Sequence, residues 1–133
     1  MIVADTNLVA YMLVPGQFTT EAKAVYQKDA EWVAPALWRS ELRNVLWKYV
    51  RIGQVLLSDA ILWMEEAEEI VIRQEYQMDS GPVLTLATSS GQSPYDCEFV
   101  YLAEELGVKL VTSDRKLIVA FPRIAVSPAV FVQ

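Results

Sequence analysis

Four acidic residues, Asp5, Glu41, Asp96 and Asp114, are the part of this sequence whose types and spacing could do chemistry. Asp5 directly follows the apolar run MIVA, and Asp114 follows VKLVTS, so both stand at the ends of expected buried strands. The other two fall on expected helices. Asp96 lies within the apolar arc of Phe99, Leu102, Ala103 and Leu106, and Glu41 sits at the margin of the stripe Trp38, Leu42, Val45, Leu46 and Tyr49.

Each acid alone has an ordinary explanation. Asp5 and Asp114 can cap the helices that follow them, Asp96 can complement a helix macrodipole, and Glu41 can pair with Lys48. Together they are harder to dismiss, because two strand ends and two inward helix positions can converge on one point. Two unit charges about 4 Å apart repel by roughly 4 kcal/mol at an effective dielectric near 20, so several such pairs rival the roughly 5 to 15 kcal/mol that holds a domain together. A converging set needs a cation or extra protons. The chain has no histidine and a single cysteine, Cys97, so the donors are oxygens, which select Mg2+ or Mn2+ over zinc or copper. A hard ion held by carboxylates is apparatus for phosphodiester hydrolysis.

The elements that must position these acids follow from the hydrophobic pattern. MIVA reads as a buried strand and LVAYMLV as a short helix stopped by Pro15 and Gly16, with a second helix over 19–29 and a brief strand at WVAP. A long helix spans 37–51 and ends at Gly53, and another starts behind Ser58 and runs through WMEEAEEIV. The segment 79–91 is ambiguous, with PVLTLATSS as a short helix. Ser93 and Pro94 form the N-cap and first position of a helix closed by Gly107. VKLVT is a strand, SDRKLIVAF a short helix and RIAV a last strand. Alternating strands and helices without linker or repeat predict one α/β domain over 1–133 with a largely parallel sheet, whose ligands collect beyond the carboxyl ends of the strands.

At 133 residues, 53% of them hydrophobic, the chain can bury a sizeable core. It carries no apolar run long enough to cross a bilayer, its opening MIVAD lacks the basic start of a secretory signal, and the one cysteine excludes an internal disulfide. A soluble cytoplasmic protein is expected. Without histidine, every imidazole-based triad is excluded. A net charge of −6 argues against indiscriminate attraction to nucleic acid, although Arg39, Arg43, Lys48 and Arg51, with Arg115 and Lys116, leave room for a local basic rim.

The segments VADTN, SELRNVL, SPYDCEFVYLAEELG and VKLVTSDRKL, in this order and spacing over essentially the whole chain, resemble PIN-domain ribonucleases, most closely the compact VapC-type toxins of toxin–antitoxin pairs. The resemblance implies a three-layer α/β/α sandwich. It assigns Asp5, Glu41, Asp96 and Asp114 to the family's acidic quartet, which binds Mg2+ or Mn2+ and supports endonucleolytic cleavage of single-stranded or structured RNA such as tRNA, leaving a 5′-phosphate. Thr6, Asn7, Thr112 and Ser113 fall where relatives orient the acids or their waters. Arg39, Arg43, Arg115 and Lys116 are candidates for phosphate contacts. Some relatives carry a further acid after the last one, where this chain has Lys116 and Ile118, so one resident ion is expected.

Other readings fit less well. A haloacid dehalogenase-like phosphatase needs a second Asp where Asn7 stands, and a two-component receiver domain needs paired acids early in the chain. The non-enzymatic alternative is a PIN-like RNA-processing or interaction module with little nuclease activity, which the presence of all four acids disfavours. Trp47, Trp63 and Met64 read either as interface anchors or as groups buried between helices. The resemblance implies a homodimer and a groove for a VapB-type antitoxin.

Overall fold

In a computed structural model covering residues 1–133, the opening apolar run forms strand β1 (Ile2–Ala4), buried throughout, and the chain turns at Asp5 into helix α1 (Thr6–Leu13). Helix α2 (Thr19–Lys28) leads to β2 (Trp32–Val33), where the fully buried Trp32 indole meets Tyr26 edge-on at 5.3 Å between ring centroids. Two 14-residue helices follow, α3 (Trp38–Arg51) and α4 (Leu57–Ile70), then α5 (Ser80–Ser90) and α6 (Pro94–Leu106). The chain ends with β3 (Leu110–Val111), α7 (Arg115–Ala120), β4 (Ala125–Val126) and α8 (Pro128–Phe131).

Local chemistry sets the limits of α6. The Ser93 hydroxyl accepts the Asp96 amide at 3.1 Å, and Pro94, which has no N–H to leave unpaired, occupies the first turn. Gly107 ends the helix at φ +67°, a conformation that would strain any residue with a Cβ. Ser58, in contrast, does not start α4: the helix begins at Leu57 and places Ser58 inside its first turn. The ambiguous 79–91 segment is helical from Ser80 to Ser90, and α8 was not anticipated. Its anchor is long-range, with Lys28 donating to the Phe131 and Gln133 carbonyls.

The strands pair in the order β2-β1-β3-β4, all parallel. They are shorter than their apolar runs suggest, and Val71 adds a single parallel bridge to Trp32 at the β2 edge. From β1 the chain moves first outward to β2 and then back across β1 to β3, so β1 and β3 flank the point where the winding reverses. Helices α1 to α4 pack on one another on one side, while α6 lies on β1 and β3 with α5 against it, giving the three-layer sandwich. One apolar cluster that includes Ile2, Leu8, Trp32, Leu42, Val100 and Leu110 unites the layers.

Candidate functional site

The reversal between β1 and β3 brings two of the four acids to adjacent strand ends. Val3 pairs with Leu110 and Ala4 with Val111, and the Asp5 amide donates to the Val111 carbonyl at 3.2 Å. Thr112, the next residue of that strand end and fully buried, donates its hydroxyl to Asp5 Oδ2 at 2.6 Å and accepts the Asp114 amide at 3.0 Å. One threonine therefore fixes both acidic positions relative to each other. On the helical side Thr6, 4% exposed, donates to Glu41 Oε1 at 3.0 Å and ties α1 to α3.

Thr6 and Thr112 are the only buried polar side chains in the chain, and each holds an acid. The threonines meet the rule that buried hydroxyls must be hydrogen-bonded, but they do so by keeping negative charge in a poorly solvated place. Burial raises the Asp5 carboxyl above its ordinary range, Thr112 opposes this, and the charges of Asp96 and Asp114 add to the rise. Glu41 is pushed up to about 7, chiefly by burial; the Thr6 hydrogen bond opposes this, and repulsion from Asp5, Asp96 and Glu98 adds to the rise. Asp96 is raised by burial and by Asp114, and Ser93 and Lys116 offset part of this. The four acids thus sense one another's charge. No ion pair reaches any of them, because the three ion pairs of the fold engage only Asp29 and Glu68.

The ordinary explanations divide unevenly. Asp114 does cap α7, its Oδ1 accepting the Lys116 amide at 2.9 Å. The Thr6 amide lies close enough to ease the Asp5 charge, but no side-chain capping bond closes there. Glu41 makes no ion pair with Lys48 and turns to Thr6 instead.

The crowding is looser than the sequence suggests, since no three acidic side chains gather tightly enough to form a ready-made cage. The chemistry of the set still fits a hard divalent ion: every nearby donor is a carboxylate or hydroxyl oxygen, and the one thiol, Cys97, is buried beside Val83 and Tyr101.

The remaining candidates separate by their angle on the helices. Arg39 and Arg43 each stand two residues from Glu41, about 200° around α3, and so neither shares its direction. Arg39 donates to both Glu68 oxygens, at 2.7 and 3.4 Å, and lies over the Trp38 ring, while Arg43 borders an apolar groove between α3 and α4. Arg39 is thus engaged by Glu68, and Arg43 lies at the groove rather than beside Glu41. Arg115 and Lys116 are exposed and border a cleft of about 440 Å³ with Ser90 and Gln92, next to Asp114. Asn7 and Ser113 are exposed, Ser113 within 3.4 Å of the Tyr11 hydroxyl. Sequence reasoning missed Glu98, half-buried two residues beyond Asp96 and raised by burial; only the fold brings it near Glu41. Trp47 is 54% exposed beside the apolar groove, whereas Trp63 and Met64 pack against the core.

Comparison with known proteins agrees with this arrangement. Residues 2–126 match the PIN domain family. The chain is 31% identical over 124 residues to Ribonuclease VapC3 of Pyrobaculum aerophilum, covering 91% of this chain and 95% of that protein. It is 28% identical over 116 residues to Exonuclease VapC9 of the same organism, covering 79% and 86%. The crystal structure of PAE2754 from Pyrobaculum aerophilum superposes with a TM-score of 0.79 at 21% identity over 98% of this chain and 85% of that one, which establishes the fold. With its parallel sheet reversing at β1 and β3, its acids at that reversal and its similarity over nearly the full length, the chain belongs to the PIN-domain family of VapC-type proteins.

Proposed function

We propose that this protein is a Mg2+- or Mn2+-dependent endoribonuclease, the toxin of a toxin–antitoxin pair, that cleaves single-stranded or structured RNA such as tRNA. One observation carries the reading: the only buried polar side chains of the fold, Thr6 and Thr112, each hydrogen-bond one of four acids that make no ion pair. Stability alone would favour apolar residues at such positions, so the arrangement points to a task. The ribonuclease and exonuclease named among its relatives support a nuclease, and the oriented acids disfavour an inert interaction module.

In this mechanism Asp5, Asp96 and Asp114 hold the ion. An ion bound there would supply Lewis-acid chemistry for phosphodiester hydrolysis. Thr112 keeps Asp5 and the Asp114 backbone in register, so that little reorganisation is left for the reacting state. Glu41, aligned by Thr6, would bind the ion or orient the attacking water. Arg115 and Lys116 bind flanking phosphates, and their placement beside Asp114 lets a net-acidic protein hold RNA. The groove of Leu46, Trp47, Val50, Leu57, Ile61 and Met64, with Leu56 and Leu62 exposed nearby, serves association with a second copy and with a VapB-type antitoxin.

Incubation with a covalently closed circular RNA tests the reading directly, because a circle offers no end to an exonuclease. Linearisation is expected with Mn2+, none with EDTA, and a loss of at least about 100-fold for a folded Asp96→Asn protein. Undiminished cutting in EDTA or by Asp96→Asn would remove the acids from the mechanism, and products formed only from linear RNA would make the enzyme an exonuclease.

A further inference from the structure

A second cleft adjoins the acidic site along the α1–α3 contact. Thr6 and Glu41 mark the end of that contact nearest the acids. Ala10, Tyr11 and Val14 on α1 and Tyr49 on α3 line the cleft further along, about 6 to 12 Å away by helical rise. Its volume is about 370 Å³, within the roughly 300 to 1,000 Å³ of small-ligand sites.

One wall is aromatic, with Tyr11 and Phe18 packed at 4.8 Å between ring centroids and tilted by 37°. Phe18 is 44% exposed, although burial would be the expected outcome for a phenyl ring with only a structural role. The turn that presents it is braced, since Thr19 Oγ1 accepts the Gly16 amide at 3.0 Å and donates to the Val14 carbonyl at 3.3 Å. Gln17, Gln54 and Tyr49 stand at the cleft with no side-chain hydrogen bond to the rest of the chain. The Tyr11 hydroxyl comes within 3.4 Å of Ser113 Oγ at the surface, immediately before Asp114. One residue thus borders both the aromatic cleft and the segment that carries an acid.

We propose that this cleft is a nucleobase subsite: it takes an unpaired base flanking the scissile phosphate, stacked on Phe18 and Tyr11, with the Gln17 and Gln54 amides at its hydrogen-bonding edge. An exposed braced aromatic supplies the π-face that unstacked bases use, and free amides read base edges with paired donors and acceptors. The cleft that contains Arg115 and Lys116 adjoins the opposite end of the Ser113–Arg115 segment. A single strand therefore runs from a basic cleft, past the acids, to an aromatic one, as in other grooves that combine phosphate contacts with stacking platforms. The inference rests on the nuclease reading and adds a determinant of which RNA is held.

Fluorescence anisotropy with a short, unstructured, fluorescein-labelled RNA tests it, in an Asp96→Asn background so that no cleavage intervenes. Adding Phe18→Ala is expected to weaken binding about tenfold, and Phe18→Trp to retain it. Phe18 is exposed, so both proteins should fold, as circular dichroism will check. Scanning a single abasic nucleotide through the RNA is expected to find one position next to the cleavage site where its loss matches Phe18→Ala and adds nothing to it. Affinity within about twofold for Phe18→Ala, or no abasic position that costs more than that, overturns the subsite. If metal-dependent cleavage of circular RNA is still observed, that result leaves the nuclease reading standing. A wild-type protein that neither binds nor cuts RNA would end both.

Discussion

Replacing Glu41 by Gln should make the metal-free protein more stable at alkaline pH, an unusual outcome for a half-buried, hydrogen-bonded residue. Burial, opposed by the Thr6 hydrogen bond and reinforced by Asp5, Asp96 and Glu98, lifts the Glu41 carboxyl from 4.5 to about 7. The folded chain therefore binds this proton more tightly than the unfolded chain does. Its contribution is fully present below about pH 4.5 and is lost as pH rises through about 7, so stability falls across that window. At about 1.4 kcal/mol per unit the whole shift would be worth roughly 3 kcal/mol. Solvent reaches about half of the side chain, and screening reduces this to about 1 kcal/mol. Glutamine resembles the protonated acid and keeps a carbonyl for the Thr6 hydroxyl. Thermal unfolding in EDTA, followed by circular dichroism, should place Glu41→Gln about 3 to 5 °C above wild type at pH 8 and level with it at pH 4.5. Saturating Mg2+ should raise wild type more than the variant and close the gap. A difference independent of pH, or a variant less stable at pH 8, would refute the reasoning.

Two further outcomes follow from the same geometry. Thr112→Val keeps the buried shape but removes the donor to Asp5 and the acceptor for the Asp114 amide, which should cost about 2 kcal/mol in urea unfolding, with Thr112→Ser recovering most of it; a neutral valine would show that the bond holds nothing. With Lys116 and Ile118 where a further acid would sit, calorimetric titration of the RNA-free protein with Mn2+ should find one equivalent bound, and two equivalents of equal affinity would contradict this.

The sequence by itself determined most of the order of elements, apart from α8 and the ambiguous stretch that forms α5, and singled out four candidate acids, because those follow from signals only a few residues long. An unbroken apolar run before Asp5, the Ser93–Pro94 start and Gly107 end of α6, and the stripe beside Glu41 all act through backbone geometry and helical period. Whether Trp47 anchors an interface or is buried between helices was open in the sequence, and only the fold leaves it exposed. Tertiary structure decided everything that depends on which segments meet. Arg39 and Arg43 could be named from their charge, but that Glu68 of α4 would engage one and that the other would border an apolar groove depended on how α3 packs against α4. Thr6 and Thr112 could be named from the resemblance, but that they would be the only buried polar side chains, each donating to an acid, depended on β1 pairing with β3 and on α1 meeting α3. The approach of Glu98 to Glu41 and of Tyr11 to Ser113 had no local signal at all. Spacing along a chain encodes the face a side chain takes on its own element, whereas its neighbour across space is set by how whole layers pack, which is a property of the entire fold.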